Sequence, residues 1–239
     1  MRPTRIRDKK MKNTFFKFGL FLAFGIIVAI CNSCESGNDE PDNGEKQVNT
    51  DGNGDENSDW VLINGVRWAT RNVGTPRIFV QNPEDYGEYY QWNKGTAECL
   101  PADYYGYGGY PNSTFWLPVN DPSPAGYRVP TSAEIQSLLN ATKVTNEWTT
   151  RNGVNGRKFT DKASRKSIFL PAAGNVDMGV SLHYYHVGEE GNYWSSTQKY
   201  FNEENGYTYS YCMCFGTGNY AVWESRACFA AYSVRPVAK

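Results

Sequence analysis

The sequence predicts an α+β domain of short mixed or antiparallel strands, one or two short helices and long loops. Three observations lead to it. Short runs of β-branched and aromatic residues, separated by Gly and Asn, recur from Trp60 to Val237. A single segment, Thr131 to about Asn140, combines a cap with helical spacing of apolar residues. All 17 Tyr and all 7 Trp follow residue 59, which concentrates the apolar area for a core in about 180 residues, ample for one domain.

The elements follow in order. Trp60-Val-Leu-Ile63 and Val66-Arg-Trp-Ala69 flank Asn64-Gly65, a pair that accepts positive φ at both turn positions and predicts a two-residue hairpin. In that register Ile63 faces Val66 and Val61 faces Trp68, giving one apolar face. Residues 99–118, where Tyr104, Tyr105, Tyr107 and Tyr110 alternate with Gly, predict a long surface loop. Asp121 to Pro130 is punctuated by proline and excludes helix. Thr131 and Glu134 then form a capping box, and Ile135, Leu138 and Leu139 share one helical face. Strands are expected at 143–149, 156–160, 167–170, 207–215, 220–224 and 230–237, and no repeat of 20–50 residues interrupts them.

Charge separates the rest of the chain. Residues 1–33 hold seven basic side chains and one acid, all ahead of an apolar run from Gly19 to Ile30, the layout of a secretion signal, with Met11 as an alternative start. A run of about a dozen is short for a spanning helix. Residues 35–59 carry nine acids and Lys46 alone as a base, with almost no large apolar groups, and predict a disordered tether. As a flexible coil it would reach on the order of 25–30 Å. Residues 60–239 are close to neutral, with 16 basic and 15 acidic side chains, which argues against nucleic acid as a partner.

Cys31-Asn32-Ser33-Cys34 resembles the lipobox of bacterial lipoproteins, although Cys31 and Asn32 depart from its usual residues. The resemblance implies a signal peptide over 1–33 and lipidation at Cys34, with the membrane as a partner. Glu35 to Glu40 resembles the acidic export signal of Bacteroidota lipoproteins, implying an outer-membrane, outward-facing location.

Within the domain, six ordered motifs carry a second resemblance: 67–73 (RWATRNV), 87–92 (GEYYQW), 124–131 (PAGYRVPT), 169–174 (FLPAAG), 193–197 (YWSST) and 232–237 (YSVRPV). In this order they resemble the Fibrobacter succinogenes major paralogous domain, over about residues 60–237. That family implies a C-type-lectin-like fold, in a branch shared with formylglycine-generating enzymes and with the variable proteins of diversity-generating retroelements. The fold is used for binding more than for catalysis, which is an argument by analogy. Trp68, Trp92 and Trp194 are read as core anchors, because large rings are the main source of buried area in a small sheet domain.

Chemistry for an enzyme is scarce. His183 and His186 are the two histidines, and no nucleophile elbow accompanies them. His183-Tyr-Tyr-His186 lacks a helix to set both rings on one face, so no metal site is expected. Asn82–Asp85, Asn120-Asp121 and Glu203–Asn205 match no fixed calcium spacing, and the Glu-Pro-Asn or Gln-Pro-Asp triplet of calcium-dependent lectins is absent. No cofactor is expected. Among Cys99, Cys212, Cys214 and Cys228, export permits disulfides, and a bridge from Cys212 or Cys214 to Cys228 is the expectation, with free buried thiols as the alternative. The formylglycine-generating resemblance implies a redox-active pair late in the domain, but their spacing is not reproduced here.

Recognition is better supplied. Between Gln198 and Ala231, Tyr200, Tyr207, Tyr209, Tyr211, Tyr220 and Trp223 mix with Asn, Ser and Gly, a composition suited to stacking on sugars or anchoring a protein. The expected function is therefore recognition of an extracellular glycan or surface protein. The competing expectation is a structural adhesin or fimbria-associated subunit.

Overall fold

The computed structural model describes residues 59–97, 113–178, 182–218 and 220–239. Cys34, Cys99, the signal and almost all of the tether lie outside the described residues. Among those described are fourteen strands, one α-helix and a short 3-10 turn at Pro118–Asn120. Every pairing between named strands is antiparallel, and two isolated bridges, Gly174 to Gly191 and Tyr193 to Ser233, are parallel. The class is thus mostly antiparallel β with one short helix.

The first hairpin joins β1 (Trp60–Ile63) and β2 (Val66–Ala69), with Ile63 opposite Val66 and Val61 opposite Trp68. Asn64 and Gly65 take φ of 44° and 81°, as a two-residue primed turn requires. β3 (Tyr90–Gln91) and β4 (Tyr127–Arg128) are two-residue strands. The helix α1 (Ser132–Leu138) begins at Thr131, whose hydroxyl accepts from the Glu134 N–H while the Glu134 carboxylate accepts from the Thr131 N–H. It ends at Leu138, two residues before the expected Asn140, because Leu139 already serves as its C-cap.

β5 (Val144–Arg151), β6 (Val154–Asp161) and β7 (Ser167–Pro171) form a three-stranded sheet, turned first by Asn152-Gly153 at φ of 48° and 81°. β8 (Asn175–Met178) pairs β9 (Leu182–Tyr185) in a hairpin the sequence reading does not contain. β10 (Glu190–Asn202), β11 (Tyr207–Gly216) and β12 (Ala221–Ala227) form the largest sheet. β10 is the longest strand, and its register with β11 shifts between Trp194 and Gln198 and again before Tyr200. The expected strand 230–237 is instead two short ones, β13 (Ala231–Tyr232) and β14 (Val237–Ala238). β14 joins β2 to β4, and β13 joins β3 to β8.

The β10–β11 pair is buried on both faces at its Glu190 end, and strand alternation divides its residues between two cores. Tyr193, Met213 and Phe215 pack with Trp68, Ile135, Leu138, Phe159 and Leu170. Trp194, Cys212 and Cys214 pack on the other side with Trp92, Trp116, Val129, Cys228, Tyr232 and Val234. Gly191 sits where a Cβ would overlap the Phe215 ring, so only glycine permits that approach. Trp68, Trp92 and Trp194 are all fully or almost fully buried. Trp92 donates its indole N–H to the Ser195 carbonyl at 2.9 Å, which ties the β3 end to β10. Trp116, in a segment expected to be surface loop, is 4% exposed and stands beside Trp92.

Candidate ligand-binding face

Beyond Met213, the face of β11 that feeds the first core runs out from under it. Tyr211, Tyr209 and Tyr207 continue the same alternation half-exposed, while Ser210 and Thr208 stay buried on the opposite face. Neighbouring strands add rings to this face. Tyr200 on β10 stands directly opposite Tyr209, and the two rings stack with centroids 5.0 Å apart and planes 13° apart. Trp223 on β12 stacks on Tyr211 at 4.3 Å and 18°. Offset stacking of this kind contributes about 0.5–1.5 kcal/mol per pair beyond area burial.

Lys199 links the two stacks. It is the extra residue between the pairs Gln198–Ser210 and Tyr200–Tyr209, and a bulge sets it on the same side as its neighbour Tyr200. Its Nζ lies 5.5 Å from the Tyr200 ring centroid and 5.7 Å from that of Tyr211. It also donates to Ser225 Oγ at 3.1 Å across β11. No acidic side chain of the described residues pairs with it, so the face carries one uncompensated cation held between aromatic rings. Sequence reasoning missed Lys199. A bulge leaves no residue signature, and without it Lys199 would point away from Tyr200.

The predicted residues do not all gather here. Tyr200, Tyr209, Tyr211 and Trp223 do. Tyr207 packs edge-on against Phe229 at 5.0 Å, at the far end of the hairpin. Tyr220 stands at the β11–β12 turn, over Gly216, where burial raises its pKa with Glu190 adding to the effect. It belongs to a different neighbourhood, in which Arg157 donates to the carbonyls of Gly216 at 3.2 Å and Gly218 at 2.6 Å and also to Asn146.

The expected bridge to Cys228 is not formed. Cys212, Cys214 and Cys228 are free and buried. Cys214 and Cys212 project from one face of β11 with sulfurs 3.7 Å apart, while Cys228 faces Ser210 Oγ at 3.1 Å, so each thiol already has a polar neighbour inside the second core. Burial pushes the Cys228 thiol up to about 12, and the Cys212 neighbour together with burial raises Cys214 further. Thiols held protonated in this way are poor nucleophiles.

Among the described residues no group of three or more His, Cys, Asp or Glu is placed to hold a metal ion. His186 instead contacts Glu189 at 3.3 Å in the exposed turn after β9. No helix among them is long and apolar enough to cross a membrane. Comparison with family models, curated proteins and solved structures found no match to this chain.

Proposed function

We propose that this chain is an outer-membrane lipoprotein, anchored at Cys34, that presents a C-type-lectin-like domain for recognition of an extracellular glycan or surface protein. The observation that carries the binding role is the face of β10–β12, where two ring stacks flank Lys199 and Tyr200 and Trp223 remain exposed. Rings packed on one another are held rigid, so little side-chain entropy is lost when a ligand settles on their free edges and outer faces. The Lys199 ammonium has N–H donors left over after Ser225, and these suit a sugar hydroxyl or a peptide carbonyl. A rigid aromatic set with adaptable polar neighbours is the composition of recognition surfaces in general.

The lectin-like assignment is supported by the six ordered motifs and is compatible with antiparallel sheets and one short helix. The anchor is supported by Cys34 at the end of an apolar run and by the acidic segment behind it.

The test uses the full chain in detergent micelles on glycan and extracellular-protein arrays, with and without calcium, beside a Tyr211→Ala/Trp223→Ala variant shown to be folded. Binding that the variant loses supports the reading. Binding that survives the double substitution, or silence on both arrays with stable co-purification of a surface assembly, rejects it for the structural subunit. Membrane retention after Cys34→Ala would reject the anchor separately.

A further inference from the structure

β12 is the outer strand of its sheet, whose order is β10, β11, β12. Its seven residues, Ala-Val-Trp-Glu-Ser-Arg-Ala, pair with β11 without a register shift from Ala227 opposite Tyr209 to Ala221 opposite Phe215. Proline, lysine, a bulge or a very short strand usually guards a free edge, and β12 has none of these. Val222 and Trp223 remain exposed along it.

One bond fixes where its backbone groups point. The Cys228 N–H donates to the Thr208 carbonyl at 2.9 Å, in the position next to the Tyr209–Ala227 pair. Bonding alternates along an antiparallel ladder, so Val222, Glu224 and Arg226 turn their N–H and C=O groups toward β11, while Trp223 and Ser225 turn theirs outward. Those outward backbone groups bond to no other described residue. They are a template for one more strand.

A second β12 matches that template in one central register. A two-fold axis at Glu224 would set the two Glu224 carboxylates against each other, and like charges directly opposite destabilise a strand pair. An axis at Trp223 would leave Glu224 opposite Val222 and Arg226 opposite Tyr220, with neither charge answered. An axis at Ser225 sets Glu224 against Arg226 of the second copy and Arg226 against its Glu224, both in the closely spaced pairs that exchange no backbone bond. On the other face the same register sets the large Trp223 across from the small Ala227. Glu224 and Arg226 already pair within the chain at 2.6 Å, so the four charges of the two copies alternate in sign.

We infer that the chain associates with a second copy of itself through β12, antiparallel about Ser225, so that two three-stranded sheets become one continuous sheet. The axis is normal to the sheet, which keeps the two ring faces on the same side, and pairing at the edge leaves both open. Lys199 reaches Ser225 in each copy, so the two ammonium groups stand about 10 Å apart by strand spacing, near a Debye length, and salt weakens their repulsion. A contact of one strand per copy lies at the small end of specific interfaces, and association in the micromolar range is expected. Anchoring in one membrane plane would raise the local concentration of copies.

Sedimentation equilibrium of the full chain in density-matched micelles, with detergent in large excess, reads the monomer–dimer constant. Wild type should dimerise reversibly. Glu224→Arg and Arg226→Glu should each weaken the dimer about tenfold or more, because each sets like charges opposite across the axis. The double swap Glu224→Arg/Arg226→Glu restores opposite signs and should recover it. Ser225→Pro removes an outward N–H at the axis, which an edge strand tolerates, and should abolish the dimer. Near-ultraviolet circular dichroism shows whether each variant is folded, and the charge swaps keep the test open if Ser225→Pro is not. A chain that stays monomeric up to about 1 mM would overturn the inference. So would an association that Ser225→Pro leaves intact, or one that the single swaps weaken and the double swap fails to recover.

Discussion

Trp194 donates its indole N–H to the carbonyl of Tyr90 at 2.8 Å, joining β10 to β3 across 104 residues of chain. The same ring stacks on Tyr232 at 4.4 Å, so it fastens β10 to the paired strands β3 and β13 of another sheet. Trp194→Phe keeps most of the apolar ring but leaves the Tyr90 carbonyl unpaired in the core, at a cost of about 1–3 kcal/mol. Trp194→Ala adds a cavity and should cost about 3–5 kcal/mol. Urea denaturation of the two variants checks the order, and equal stability for both would mean that the hydrogen bond contributes nothing.

Thr131 and Glu134 close the start of α1 from both sides, and Glu134 also holds Arg128. Hydrogen bonds from Arg128 and Thr131 outweigh burial and keep the Glu134 carboxyl below its ordinary pKa. A lowered carboxyl pKa stabilises the fold above the unfolded value and is lost as pH falls through the folded one. Thr131→Ala should therefore cost about 1 kcal/mol at neutral pH. Glu134→Gln should flatten the acid limb of the stability profile below about pH 5, measured by denaturation across that range.

What was legible in the sequence was the local chemistry. Asn64-Gly65 set a turn and with it the register of four residue pairs, and the Thr131–Glu134 box set a helix start. Asn152-Gly153 carries the same turn signal, and the strands on either side of it were placed too short because their polar outer residues hid the pairing. β10 was illegible for a physical reason. At its buried end successive residues such as Tyr193 and Trp194 feed two different cores, so the alternation that marks a half-exposed strand is missing there. Of the six aromatic residues that composition selects, four gather on the β10–β12 face. Tyr220 is near them in sequence, but the β11–β12 turn carries it elsewhere.

Arg235 is fully buried, and no acidic side chain of the described residues pairs with it. Its Nε donates to Asn72 Oδ1 at 2.8 Å and its Nη1 to the Ala69 carbonyl at 3.1 Å, which fixes the chain between β13 and β14 against the end of β2 and Asn72 just beyond it. Burial lowers its pKa to about 10. Arg235→Lys keeps the charge but offers a compact ammonium that cannot reproduce the guanidinium fork. Loss of one hydrogen bond to a charged group predicts about 1.5–3 kcal/mol of destabilisation by urea denaturation. Wild-type stability in this variant would show that the fork geometry is immaterial.

The buried thiols should weaken the fold at alkaline pH. Cys228 is pushed up to about 12 and Cys214 is raised more, whereas an unfolded cysteine ionises near 8.5–9. Below the unfolded value both states hold the proton and the full stability is present. As pH rises past about 9 the unfolded chain loses protons that the folded chain keeps, so stability falls by up to about 1.4 kcal/mol per pH unit for each thiol. Buried tyrosines join from about pH 10, since Tyr193 is pushed up to about 12 by burial. Urea denaturation at pH 7, 9 and 10 should therefore show a decline that begins below the tyrosine range. Cys228→Ala should shift that onset upward and reduce the slope between pH 9 and 10. An unchanged slope in Cys228→Ala would mean that this thiol already exchanges its proton with solvent in the folded state. Alkylation kinetics offer an independent check, because all three thiols of the second core should label rapidly only after denaturation.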